Sequence, residues 1–190
     1  MALAMAALIT LAIYSLSQLS TLPWTSSLST PTLSLSLRKD LPRFEASGAG
    51  EVITPQNFQG KWTLLTFWST TCPPCHAEMP SLNQLALNWQ GPEFQILTVN
   101  VDKEGSPEGI AAKSMLREQE LILPTFFDNK KELMKAFQVE AFPTHFLVNP
   151  DLKIVWEAVG AYDWDSDETR EQLSALMESQ APEWPQSPVE

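Results

Sequence analysis

From Gly60 onward the chain alternates apolar runs whose spacing switches between that of a strand and that of a helix. Trp62-Thr63-Leu64-Leu65-Thr66-Phe67-Trp68 is a β-branched and aromatic run suited to a buried strand, with the turn signal Gln59-Gly60 ahead of it. From Pro73 to about Trp89, Met79, Leu82, Leu85 and Trp89 recur at helical spacing, and Pro80 is expected to kink that helix. Phe94 to Asn100 is the next strand. Ser106-Pro107 pairs an N-cap with proline at the first helical position, opening a helix that runs to about Glu120. Glu132 to Phe137 is a short helix and Thr144 to Val148 a strand. Asn149-Pro150-Asp151-Leu152 turns that strand into Lys153 to Ala158, making a hairpin. Asp165 or Ser166 caps a final helix reaching about Gln180. The order is β-α-β, then a hairpin and a closing helix: one α/β domain with a mixed sheet.

The flanks follow other rules. No charged side chain occurs before Arg38. Residues 1–22 are apolar and then rich in Ser and Thr, intermediate between the roughly 20 apolar residues of a membrane span and the roughly 7–15 of a signal-peptide core. We read them as a transmembrane anchor or a signal peptide, either of which delivers the domain outside the cytoplasm; the competing reading is a buried N-terminal helix. Residues 23–43, with Ser, Thr, Leu and Pro, read as a tether, and 44–180 as the folded domain. Residues 181–190, punctuated by Pro182, Pro185 and Pro188, read as a disordered acidic tail.

Composition narrows the function. The 190 residues are 44% hydrophobic, enough for one domain of ordinary size with appendages. A net charge of -11 leaves no electrostatic footprint for nucleic acid, and an anionic membrane surface would repel the folded part. The chain has two cysteines, Cys72 and Cys75, two residues apart. A structural disulfide framework needs more cysteines at wider spacing, so this pair points to chemistry.

A strand that stops at Cys72-Pro73-Pro74-Cys75 and resumes as a helix puts Cys72 near the helix N-cap, where unpaired N–H groups and the helix dipole stabilise a thiolate. Cys72 is then the nucleophile and Cys75, one turn in, the shielded resolving thiol. Pro73 and Pro74 suit the first turn, where their missing N–H groups have no partner to lose. Cys72 attacks a substrate disulfide and Cys75 resolves the mixed disulfide; run backwards, the site oxidises. The resolving step needs a proton acceptor, and Glu78 lies three residues after Cys75 on the same helical face. The alternative for Glu78 is a solvent-facing helix carboxylate.

With Gly60-Lys61, the strand end Thr66-Phe67-Trp68, the Cys72–Cys75 motif, Glu78-Met79-Pro80 and Phe142-Pro143-Thr144-His145-Phe146-Leu147-Val148-Asn149 in this order, the chain resembles the thioredoxin superfamily. Within it, the TlpA/ResA-like thiol-disulfide oxidoreductases are the nearest likeness, over about residues 44 to 180. The resemblance implies a thioredoxin-like fold, a central mixed sheet flanked by helices. It implies a membrane-tethered or periplasmic protein whose Cys72/Cys75 dithiol reduces disulfides in client proteins such as apocytochromes c or copper-site proteins. A membrane electron donor of the thiol-reducing type recharges it, and the redox-active disulfide serves with no other cofactor. Glu78 falls on the family's glutamate and Pro143 on its cis-proline, completing the catalytic set. Thr71, Pro73, Pro74, Phe142 and Thr144 are the expected client contacts.

Two departures bear on this. Thr71 stands where the family usually has tryptophan, removing a flat apolar contact beside the nucleophile. Thr66 occupies the position of thioredoxin's buried aspartate and cannot titrate, which leaves Glu78 as the proton acceptor. Two other functions compete: a thiol oxidase or isomerase of the same fold, and a metallochaperone holding copper or zinc with Cys72, Cys75 and His76 or His145.

Overall fold

A computed structural model describes residues 39–48 and 50–179. Residues 1–22, most of the tether and the acidic tail lie outside the described residues. Among those described, no helix is long and apolar enough to cross a membrane.

The strands are β1 (Lys39–Asp40), β2 (Ala46–Gly48), β3 (Glu51–Ile53), β4 (Trp62–Trp68), β5 (Phe94–Asn100), β6 (Thr125–Phe127), β7 (Thr144–Val148) and β8 (Lys153–Val159). The helices are α1 (Pro73–Trp89), α2 (Pro107–Glu118), α3 (Glu132–Ala136) and α4 (Asp167–Ser179). Six strands form one sheet in the order β1-β8-β7-β4-β5-β6, while β2 and β3 form a separate hairpin. β4 runs parallel to β5 and antiparallel to β7, so the sheet is mixed as the chain order implies.

β1 lies within the stretch read as tether: Lys39 and Asp40 pair with Ile154 and Lys153, an Asp40–Lys153 ion pair sits beside them, and Leu41 is buried. Strands β1, β2, β3 and β6, each of two or three residues, were not expected from the pattern. Such runs are too short to show an alternation, and the neighbours that stabilise them are remote in sequence. At Gly48 a Cβ would lie 1.9 Å from the Phe127 carbonyl oxygen, so the β2–β3 hairpin reaches β6 at a distance only glycine permits.

Strand alternation divides the core. Leu64 and Trp68 of β4 and Leu147 of β7 pack with Met79, Leu82 and Leu85 of α1 and Leu173 and Leu176 of α4. On the other face Leu65, Phe67, Phe146 and Val148 pack with Val99, Phe126, Leu133 and Phe137. Each such large side chain contributes about 1.5–3 kcal/mol on full burial. Two helix starts match their sequence signals: Ser106 Oγ accepts from the Gly109 N–H at 3.2 Å, and Ser166, of the two candidates, caps α4 by accepting from the Thr169 N–H at 3.2 Å.

Candidate active site

β4 delivers Cys72 to one end of the sheet. Four residues after Trp68 the cysteine takes the N-cap position of α1 with extended backbone angles, φ -103° and ψ 100°. Its Sγ accepts from the Cys75 N–H at 3.2 Å, so the first turn of the helix already directs a backbone dipole at the sulfur. Pro73 and Pro74 occupy the first helical positions and are exposed. Cys72 and Cys75 are joined as a disulfide; Cys72 is 9% exposed and Cys75 0%. Cys72 is thus the more exposed of the two, in the order expected for a nucleophile at Cys72 and a shielded resolving thiol at Cys75.

Antiparallel pairing places the start of β7 at this same end, with Thr144 opposite Phe67. Pro143 directly precedes it, and the Phe142–Pro143 peptide bond is cis. Phe142 is half-buried and packs against both apolar clusters. Thr144 is buried and its hydroxyl donates to the Ala141 carbonyl at 2.7 Å, so that side chain holds the turn before the proline. Thr71 is exposed, with its hydroxyl 3.2 Å from that of Ser69.

The approach to Cys72 is held by Asp102, just beyond the end of β5. Its Oδ1 accepts from the Ser69 hydroxyl at 2.8 Å, and its Oδ2 from the Thr70 N–H at 2.7 Å and the Asn100 side-chain amide at 3.2 Å. Burial pushes the Asp102 carboxyl up, and hydrogen bonds from Thr70, Ser69 and Asn100 outweigh that, so it titrates below the ordinary aspartate value. Ser69 in turn accepts the Cys72 N–H on its carbonyl at 3.1 Å.

Behind Cys75 lies Glu78, 2% exposed, and not the solvent-facing carboxylate that helical spacing also allowed. Its Oε2 accepts from the Tyr162 N–H at 3.2 Å and the Trp164 Nε1–H at 3.3 Å, and lies 3.4 Å from His145 Nε2. Its Oε1 is buried and has no hydrogen-bond partner. His145, fully buried, shares the α1 face of the sheet with Leu147. Its Nε2 is 3.0 Å from the Gly160 carbonyl oxygen, which can only accept, so Nε2 carries the hydrogen. Its Nδ1 is 3.1 Å from the Thr66 hydroxyl. Burial, and then the charge of Glu78, push the Tyr162 phenol above its ordinary value.

Gly160 links this pair to Pro143. Its N–H donates to the Pro143 carbonyl at 2.9 Å while its own carbonyl faces His145, a double role taken at φ +108°, where a Cβ is strained.

Residues 37–157 match the AhpC/TSA family. The chain belongs to that family. The thiol-disulfide oxidoreductase ResA of Bacillus thuringiensis subsp. konkukian is 30% identical over 149 residues, covering 78% of this chain and 80% of the relative. The crystal structure of StoA from Bacillus subtilis superposes with a TM-score of 0.55 at 27% identity, over 77% of this chain and 98% of that one. A thioredoxin-family thiol:disulfide interchange protein from Chlorobium tepidum TLS, 22% identical and covering 74% of this chain and 98% of its own, shares the fold with a TM-score of 0.60. The chain is a thiol-disulfide oxidoreductase with a thioredoxin-like fold.

Sequence reasoning brought Cys72, Cys75, Glu78 and Pro143 into view for the oxidoreductase but missed Asp102 and the pairing of His145 with Glu78. Asp102 had a signal: it follows the second of two parallel strands, at the strand end where α/β sites collect. His145 had half of one, since alternation opposes it to Thr144 without saying which face meets α1. His76 is half-buried on α1. Among the described residues no three His, Cys, Asp or Glu side chains come together as metal ligands.

Proposed function

We propose that this oxidoreductase works as an extracytoplasmic reductase of disulfides in client proteins, apocytochromes c and copper-site proteins being the client classes the family resemblance favours. The carrying observation is the disulfide at the start of α1 with its inner sulfur, Cys75, wholly buried and Glu78 one turn further along. A protein that gives up electrons must also dispose of the proton on its resolving thiol. Where that thiol is shut off from water the acceptor has to be internal, and Glu78 offers an oxygen with no donor to displace.

In the forward direction the Cys72 thiolate attacks one client sulfur, the client S–S bond breaks, and the departing client thiolate takes up a proton. Cys75 then surrenders its proton and attacks Cys72 Sγ, breaking the mixed disulfide and releasing the second client thiolate. Two electrons pass to the client, and the protein is left with the Cys72–Cys75 disulfide. A membrane electron donor of the thiol-reducing type returns it to the dithiol, and residues 1–22 hold it at the inner membrane or direct its export. No cofactor beyond the disulfide enters these steps.

Cys75→Ser tests the reading, because without a resolving thiol the mixed disulfide on Cys72 should persist. Reduced variant added to an extracytoplasmic extract should capture oxidised clients in adducts released by dithiothreitol. No adduct, or copper or zinc bound stoichiometrically to the unaltered protein and lost with Cys72→Ser, would contradict it.

A further inference from the structure

We infer that His145 is a positioning residue for the exchange reaction, acting through Glu78, and that the two side chains hold as a unit the proton that Cys75 releases. The inference rests on the proposed reduction chemistry and adds to it a residue the family resemblance did not assign.

The hydrogen bonds around the pair accommodate a proton at either end. Neutral His145, with its hydrogen on Nε2 toward Gly160, accepts from the Thr66 hydroxyl at Nδ1. Protonated, Nδ1 donates to the same hydroxyl, which has lone pairs to receive it. Thr66, which cannot titrate, therefore serves a neighbour that can, and both states of the imidazole remain satisfied although the ring is fully buried. The ring lies 4.9 Å from Trp164 and 5.6 Å from Tyr162, centroid to centroid, each in an edge-to-face arrangement, and these contacts fix its orientation.

Glu78 is arranged in the complementary sense. All of its donors converge on Oε2, which suits an ionised carboxylate, while Oε1 is left open. A proton arriving from Cys75 meets Oε1 without displacing a hydrogen bond. The His145 Nε2, which carries a hydrogen, lies 3.4 Å from Oε2 and adds to the donors on the occupied side of the carboxylate. The titratable groups nearest the pair along the chain or in the pocket lining are Cys75, three residues before Glu78 on α1, Tyr162 from the segment before α4, and Asp163, which with Glu78 lines a surface pocket of about 420 Å3. That pocket lies beside the buried carboxylate and is the route by which the proton leaves once the disulfide has closed. In the step itself the Cys75 S–H bond breaks, its proton goes to Glu78, the Cys75–Cys72 bond forms, and the electron pair of the mixed disulfide departs with the client sulfur.

The test is the pH profile of the resolving step, followed by rapid mixing of the reduced protein with oxidised glutathione, for the unaltered chain, Glu78→Gln, His145→Gln and the double variant. Glu78→Gln should slow resolution at neutral pH by about a hundredfold, the lower end of a general base's contribution. His145→Gln should slow it by about tenfold and move the acid inflection to higher pH, because the ionised form of Glu78 loses the imidazole Nε2–H beside Oε2. The double variant should be no slower than Glu78→Gln alone. A His145→Gln profile that superimposes on that of the unaltered protein, or single-variant losses that multiply in the double variant, would overturn the inference. Should His145→Gln not fold, Thr66→Val keeps the ring and deletes its Nδ1 partner; an unmoved inflection there is equally fatal. Failure of the unaltered protein to exchange with glutathione at any pH would instead strike at the proposed function.

Discussion

Two carboxylates flank the disulfide, and they are built in opposite ways. Asp102, in front of Cys72, has both oxygens occupied by donors from Ser69, Thr70 and Asn100. Glu78, behind Cys75, has every donor on one oxygen and none on the other. A saturated carboxylate is a fixed anion: it anchors the loop that presents Cys72, and its depressed pKa follows from the same hydrogen bonds. A half-saturated, buried one has an oxygen open to a proton. On the proposed mechanism the site separates holding from proton transfer, giving each to a carboxylate with different surroundings.

The largest effects should fall on the cysteines between the two. Cys72→Ser should abolish exchange, by at least about 10^3-fold in turnover, whereas Cys75→Ser should still undergo the first attack and stall as a mixed disulfide. Equal loss of the first step in both would mean that burial does not assign their roles.

Asp102→Asn comes next and separates anchor from proton carrier. Losing charge-assisted hydrogen bonds should lower stability by about 1–3 kcal/mol at neutral pH while slowing resolution far less than Glu78→Gln does. Because the folded-state pKa of Asp102 lies below its unfolded value, its contribution is present above the ordinary aspartate pKa and fades as pH falls through the folded value. Denaturant titrations should therefore show the variant and parent converging in acid. A stability difference constant down to the lowest pH would refute the anchor role.

The smallest effect concerns the surroundings of Glu78. Tyr162 has a raised pKa from burial and then from the Glu78 charge, so its contribution to stability is full below the unfolded tyrosine pKa and is lost as pH rises through the folded one. Tyr162→Phe should flatten the alkaline limb of the stability curve, and Glu78→Gln should flatten it in part. An unchanged limb in both would detach Tyr162 from the pair.

The same contrast explains what the sequence revealed. β4, β5 and β7 and the start of α1 fall where their apolar runs and prolines put them, since buried strands and a capped helix are dictated by neighbours in sequence. β8 extends one residue past the expected Ala158, to Val159. Cys72, Cys75 and Glu78 lie within one stretch of seven residues and were legible together. Asp102 and His145 were not, because their roles depend on register: Thr66 meets His145 only through the antiparallel pairing of β4 with β7. Trp164, fully buried just before the last helix, donates its indole N–H to Glu78 across 86 positions of chain. Alternation along a strand states that two faces exist; pairing decides what each face meets.

The direction of electron flow is the centre of the account, and the equilibrium between the Cys72/Cys75 pair and glutathione buffers of known ratio measures it. If the proposed direction holds and the pair donates electrons to clients, its potential should lie near or below about -250 mV; a value near about -120 mV, where strong thiol oxidants lie, would contradict it.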